Sequence, residues 1–579
     1  MSSDRWFLDS TPTAKYPAWT RGNAADVFPG PFSPLAYDLI LRDGMSKGLR
    51  DAYTAIGAIN YDEYDNPERP DLFHVFGGYP YNPLTMTRIF GARMPGASPE
   101  LIDKAFFDDR AEVPPYEEQA WHTSPENEAK LAASMGWAMS ATDLPELLAD
   151  RELAAHLRAN RPNLAELTDA ALIARARSVV PFVQQTFENA MRVSTMSSLG
   201  PGALGAVCEG IGDPTAAIRL LAGIEVDSAA PSHAMWELGR AAAASPEVAK
   251  AFDTAGPDGV LAALRASGSA DAKAFLAKFD EFLYEYGSRA QGEYDLYAQA
   301  WEVKPRIALT AIDLMRRSDE SHSPASRHAA SVVERDRVLA DIRAKVAGDA
   351  ETAGLFEAAL GSARLFLAGR ERAKTNCVRV IHEARMALRE LGRRLVERGV
   401  ISEVEQVFML RDAELDHVRQ APEKVSAAIA ERWSVYQGLW DMEPVFVVNG
   451  VAPTLSMMTR KGASSATVQV GSVLQGAAGS GGKASGRARV VLDAADPVGL
   501  EPGDVLIAPQ TDPSWVPLFV PASAVIVNVG AAGSHAMIVS RELGIPCVVS
   551  VADATANIPD GAMVTVDGNA GTVTIDSLP

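Results

Sequence analysis

Gly530-Ala531-Ala532-Gly533-Ser534-His535-Ala536-Met537-Ile538-Val539-Ser540-Arg541-Glu542-Leu543-Gly544-Ile545-Pro546 decides how the C-terminal part of this chain is read. A β-branched run at residues 524–529 enters a glycine-bearing turn, and the apolar spacing then predicts a helix beginning at or near Ser534. Gly544, with Pro546 just beyond, marks its end, since glycine accepts the left-handed cap and proline cannot continue a helix. His535 therefore falls where unpaired backbone N–H groups and the positive end of the helix dipole converge, which favours an anion. A neutral imidazole, with an ordinary pKa of about 6.5, is nucleophilic near pH 7. A phosphoryl group carried on its nitrogen would lie against the turn at Gly533 and Ser534, and Arg541 could fold back to neutralise charge. As a lone residue, His535 could equally cap or pack a helix start.

Around this segment lie short β-branched runs at 488–492, 504–508, 547–551, 563–566 and 573–575, separated by turn residues. They predict a compact, β-rich α/β domain over 476–579. Residues 446–475 read as a linker, a flexible connection ahead of that domain, and glycine is dense between Gly471 and Gly486. Residues 1–445 read as a mostly helical acceptor-binding or linker domain. Its first part, 1–140, is broken by Pro and Gly into loops, short helices and a few strands. From about 143 to 440, apolar residues recur at three- and four-residue spacing, as in a helical bundle. The expected fold class is multidomain α plus α/β: a large helical domain followed by a small swivelling α/β domain.

Within the helical region, Arg370 and Lys374 stand four residues apart, so both lie on one helix face about 6 Å apart. Two cations so placed could hold a transferring phosphoryl group or stabilise an acceptor oxyanion. They could also be ordinary solvent-facing charges. Arg289, Glu293 and Asp295 carry a similar choice: a carboxylate here could take the acceptor's proton, or Arg289 and Glu293 could form a buried structural pair. His74, His122, His233 and His382 read as packing or surface residues, and no metal-ligand spacing occurs.

The chain has 579 residues and a net charge of −20, which argues against nucleic-acid or anionic-membrane partners. Three scattered cysteines make no disulfide framework or zinc knuckle, and no signal peptide or apolar run of membrane length is seen. A cytoplasmic protein is expected.

The run Gly-x-x-x-Ser-His-x-x-Ile-Val-x-Arg-Glu-x-Gly-Ile-Pro resembles the phosphohistidine swivelling domain of the PEP-utilising enzymes. The stretch from Leu506 through Thr511-Asp512-Pro513-Ser514-Trp515 to Phe519 is similar to the strand and turn preceding that histidine. The resemblance implies that His535 is transiently phosphorylated. Two positions depart: the family usually has Thr eight residues before the histidine and a second Gly after the first, where this chain has Val527 and Ala531. The first departure would remove one hydroxyl from beside the phosphate. Trp19-Thr20-Arg21-Gly22-Asn23-Ala24-Ala25-Asp26-Val27-Phe28-Pro29-Gly30, Tyr286–Leu296 and Arg370-Glu371-Arg372-Ala373-Lys374 resemble motifs of PEP-synthase-like and rifampin-phosphotransferase-like enzymes.

In that family an ATP-grasp module charges the histidine. This sequence starts directly at the motif near Trp19, has no glycine-rich phosphate loop followed by Lys, and ends at Pro579 without a PEP/pyruvate barrel. The resemblance thus implies a split enzyme, in which a separate ATP-grasp subunit uses ATP and Mg2+ to phosphorylate His535. The chain looks like the acceptor and phosphohistidine subunit of two-component phenylphosphate or methylphenol phosphate synthase, with a small phenolic acceptor. A split rifampin-type antibiotic phosphotransferase, and a non-catalytic partner-binding protein that keeps the swivelling fold, are the alternatives.

Overall fold

The computed structural model describes residues 4–107, 112–461, 468–497, 499–530 and 534–579, without the side chains of 105, 106, 419 and 513. The chain is a large helical region followed by a small α/β domain, as expected. Its compact units are two: Met1–Leu199 with Tyr294–Ala298 and Leu365–Ala463, and Gly200–Glu293 with Gln299–Arg364 and Ser464–Pro579. The first unit's last segment ends inside the expected 446–475 linker, and the second unit joins helices of the middle region to the α/β domain.

In the first unit, strand Ala18–Thr20 pairs antiparallel with Val447–Asn449, and hairpin His74–Phe76/Tyr79–Tyr81 turns on Gly77 and Gly78, both at positive φ. A nine-residue π-helical segment, Tyr37–Met45, runs straight into helix Ser46–Ile56. Helix Val180–Met196 packs against it so closely that a Cβ on Gly48 would stand 2.6 Å from the Gln184 carbonyl. The core joins Trp19, Phe28, Phe73, Phe187, Tyr294 and Phe366. Arginines substitute for backbone pairing where the loops are buried: Arg93 is fully buried, grips both Glu63 oxygens at 2.7 and 2.8 Å, and donates to the carbonyls of Ala58, Trp121 and His122.

In the second unit, the eight-stranded sheet runs Val473–Gln475, Thr572–Ser577, Met563–Asp567, Lys483–Val490, Val505–Ala508, Ala524–Val527, Cys547–Val549, Ala477–Ser480. The three pairings from Lys483–Val490 through Cys547–Val549 are parallel and the others antiparallel. Val505–Ala508, Ala524–Val527 and Cys547–Val549 are apolar on both faces because both faces are covered, as parallel strands require. Leu506, Val525, Val527 and Val549 join Trp236, Phe282, Trp301 and Met315 from helices and loops of residues 230–317. Ile507, Ile526 and Val548 alternate to the other face, with Val564 and Ile575.

The end of the expected linker is strand Val473–Gln475, and the glycine-dense stretch goes on through strand Ala477–Ser480 into Lys483–Val490. Its glycines let backbones touch: a Cβ on Gly476 would lie 2.5 Å from the Val549 carbonyl, and one on Gly479 2.9 Å from that of Cys547. Gly568 is tighter still, with an added Cβ 1.8 Å from the Ser480 carbonyl. Gly568→Ala is expected to destabilise the second unit by about 3 kcal/mol or more, read as a lowered urea midpoint. An unchanged midpoint would show that this edge relaxes freely. Among the described residues no helix is long and apolar enough to cross a membrane.

Candidate active site

Helix His535–Leu543 begins after Ser534, whose extended backbone (φ −65°, ψ 154°) is that of an N-cap, and ends at Gly544 in the left-handed region (φ 63°). Ala536, Met537, Val539 and Leu543 bury its inner face, and the Gly544 cap lies against Arg327 and Ser331 of helix Pro324–Val346. This packing fixes the first turn, whose N–H groups have no acceptor within the helix and point out of its start. His535 is half-buried, with the Phe519 ring 6.3 Å away.

Strand Ala524–Val527 lies beside Val505–Ala508 in parallel, with Val527 opposite Ala508. Past the carboxyl ends of these neighbours come His535 and Thr511, the place where open parallel sheets bind ligands. Thr511 Oγ1 stands 3.3 Å from His535 Nδ1. A hydroxyl from the adjacent strand end thus stands beside the histidine ring. The turn is held by Asp512, which accepts hydrogen bonds from the Ser514 amide at 2.9 Å, the Ser514 hydroxyl at 2.5 Å and the Gly292 amide at 3.1 Å. Two of the sequence motifs, 286–296 and 506–519, therefore meet at this turn.

Ser534 Oγ is buried and, among the described residues, makes no hydrogen bond. A hydroxyl left unsatisfied beside a helix start is ready to serve a bound oxyanion. Gly533, singled out with it, lies outside the described residues, as does Ala531. Arg541 Nε donates to the Gly479 carbonyl at 2.8 Å, and its Nη2 lies 3.9 Å from the Met537 sulfur.

Arg289 and Glu293 are both buried and 3.2 Å apart. The Arg289 carbonyl accepts from the Trp301 amide, so this loop closes a turn at the end of helix Ala270–Tyr286.

Asp295 accepts from the Ser33 amide at 2.7 Å and from its hydroxyl, and from the Tyr297 amide at 2.9 Å. Burial raises its pKa to about 6, against the pull of those donors. Its carbonyl takes the buried Arg385 guanidinium at 2.9 Å, and Arg385 also donates to His382 Nδ1. His382 is therefore an acceptor at Nδ1 in a packing role. His74 stacks on Trp19 with ring centroids 3.6 Å apart, and burial lowers its pKa to about 3.

Arg370 and Lys374 lie on helix Ala350–Glu397. Lys374 Nζ sits 5.8 Å from the Tyr294 ring centroid, and Tyr294 in turn packs 6.0 Å from Phe28. Phe28 belongs to the Trp19–Gly30 motif, whose Asp26 is held in the field of Arg370, Lys374 and Arg21. Asp26 was not singled out by sequence reasoning, although it stands inside a quoted motif. Only the fold brings a short acidic turn at residue 26 to a cation pair more than 340 positions later.

Residues 500–571 match the family model described as PEP-utilising enzyme, mobile domain, and residues 189–371 match rifampicin phosphotransferase fourth domain. The rifampicin phosphotransferase of Streptomyces sviceus is 30% identical over 306 residues, covering 51% of this chain and 34% of that protein. That of Bacillus cereus is 28% identical over the same length, with the same coverage. The chondramide synthase of Chondromyces crocatus is 28% identical over 382 residues, 63% of this chain and 10% of its own. The chain thus spans about a third of the rifampicin phosphotransferases that it matches. With His535 at the head of the helix in residues 500–571, the chain is similar there to the mobile domain of the PEP-utilising enzymes and, ahead of it, to the fourth domain of the rifampicin phosphotransferases.

Proposed function

We propose that this chain is the acceptor and phosphohistidine subunit of a cytoplasmic, dikinase-like phosphotransferase. His535 receives a phosphoryl group from an ATP-grasp subunit on another polypeptide and passes it to the hydroxyl of a small phenolic acceptor. The partner would bind ATP and Mg2+ and release AMP and phosphate. The observation that carries this reading is the imidazole of His535 at a helix start, within hydrogen-bond reach of Thr511.

With the ring proton on Nδ1 and donated to Thr511 Oγ1, the lone pair of a neutral imidazole is on Nε2, the nitrogen that would attack phosphorus. The phosphoryl oxygens are then neutralised by the first-turn N–H groups and the Ser534 hydroxyl. On transfer the P–N bond breaks, its electron pair returns to the imidazole, and the acceptor oxygen bonds to phosphorus while losing its proton. Arg370 and Lys374 would clamp the acceptor oxyanion or the arriving phosphoryl group. Arg289, Glu293 and Asp295 take structural roles in this reading, because each is committed to the buried contacts described above.

A rifamycin-type drug hydroxyl is the second reading of the acceptor, favoured by the match of residues 189–371. The test uses potassium phosphoramidate, a small phosphoryl donor to histidine, to label the full chain, followed by phenol or rifampicin. Label passing to phenol supports the first acceptor, and label passing only to rifampicin supports the second. A chain that takes no label on His535 contradicts both.

Thr511 acts through His535 as a positioning residue. Thr511→Val is expected to slow His535 labelling by about 10- to 100-fold, and Thr511→Ser to stay near the unsubstituted rate. Equal labelling in all three chains would contradict the role.

A further inference from the structure

We infer that Ser550 is a positioning residue for phosphoryl transfer at His535: its hydroxyl, donated to the Gly530 carbonyl, sets the chain that leads into Ser534 and the histidine. The inference rests on the proposed function and names a group that tunes its first step.

The chain leaving strand Ala524–Val527 is gripped by the ends of both neighbouring strands. On one side, the Asn528 amide donates to the Ala508 carbonyl at 3.2 Å and the Val529 amide to the Pro509 carbonyl at 3.1 Å. On the other side runs the segment that follows strand Cys547–Val549. Its Val551 amide donates to the Val527 carbonyl at 3.1 Å. The Asn528 side chain donates to Thr555 Oγ1 at 2.8 Å and accepts from the Thr555 amide at 3.0 Å. The furthest forward of these ties is the Ser550 hydroxyl, which donates to the Gly530 carbonyl.

Gly530 is where such a tie reaches the site. A Cβ added there would stand 2.9 Å from the Val549 Cβ and 3.1 Å from Ser534 Oγ, so its backbone lies against the Ser534 hydroxyl. Helix His535–Leu543 starts from Ser534. Moving Gly530 therefore moves the hydroxyl at the helix start, and with it the residue that precedes the nucleophile.

Ser550 holds φ 57°, a left-handed backbone that costs a residue with a Cβ and that glycine takes freely. Among the described residues the only others without glycine at positive φ are Asn23 and Asp553, and Ser550 and Asp553 both stand in the segment that grips the chain ahead of His535. Ser550 is exposed, so packing of its side chain does not impose this conformation. A strained backbone kept at an exposed position beside a reacting group points to what the side chain does. Here it supplies one hydrogen-bond donor to Gly530.

The experiment labels the full chain on His535 with potassium phosphoramidate over a range of donor concentrations and records thermal melting of the same chains. Ser550→Ala is expected to label about 10-fold more slowly at saturating donor, with the half-saturating concentration unchanged, because placement of the histidine acts in the transition state. Ser550→Gly should label as slowly as Ser550→Ala yet melt above it, since glycine takes φ 57° without strain. Ser550→Asn tolerates the left-handed backbone and carries an amide donor, so it should recover part of the rate. Labelling at the unsubstituted rate in the Ala and Gly variants would overturn the inference. So would a labelling rate that simply follows melting temperature through the series, which makes Ser550 a structural turn residue. If the unsubstituted chain takes no label on His535, the proposed function falls and this inference with it. If it takes label and Ser550→Gly takes it equally fast, only the role of Ser550 falls.

Discussion

His535→Asn should abolish phosphoryl labelling of the chain from potassium phosphoramidate and lower transfer to phenol by at least about 10⁴-fold. The size follows from the role. A covalent carrier cannot be bypassed, because direct attack by the acceptor lacks both the nucleophile and the helix-start N–H groups that hold the phosphoryl oxygens. The fold should survive, since His535 is half-buried at a helix start and its loss there costs about 1 kcal/mol. A melting curve close to that of the unsubstituted chain, together with lost label, separates loss of the nucleophile from loss of structure. Retained labelling would move the phosphoryl carrier to another residue.

The second large effect is expected at the cation pair. Arg370→Ala and Lys374→Ala should each leave His535 labelling unchanged and slow discharge to phenol by about 10²- to 10³-fold, or about 2.7–4 kcal/mol of transition-state stabilisation. The double substitution should cost less than the sum, because both groups act on one developing charge. If the two were solvent-facing charges alone, each change would move the rate by less than about twofold. Single-turnover chase of pre-labelled chain measures this step alone, so a change in the charging reaction cannot be mistaken for one in the clamp.

The helix start was legible in the sequence because its signals are local. Ser534 as cap, Gly544 in the left-handed region and Pro546 beyond lie within thirteen residues, and the structure places the helix between the first two. The strands at 505–508, 524–527 and 563–567 were legible for the same reason, as short β-branched runs between turn residues.

What the sequence concealed is long-range. Strand Val473–Gln475 looked like connection because it stands among glycines, which have no strand propensity, yet Gly476 and Gly479 are there to let neighbouring backbones approach. The split of the helical region was equally hidden. Helix Ala350–Glu397 crosses from one compact unit to the other without a break in its apolar spacing, and residues 294–298 leave and rejoin a unit within one loop. At the site, the Thr511 hydroxyl, the commitment of Asp295 to Ser33 and the cations around Asp26 each depend on pairings between distant segments. Composition and periodicity carry no record of such pairings.

The central claim is that one phosphoryl group passes through His535 to a hydroxyl acceptor. Mass spectrometry of the His535 peptide before and after addition of phenol or rifampicin tests it most directly. The account predicts an acid-labile phosphoryl group on His535 that disappears as an equal amount of the acceptor's phosphate ester forms. A phosphoryl group on any other residue, or one lost from His535 only as inorganic phosphate in the presence of both acceptors, would contradict it.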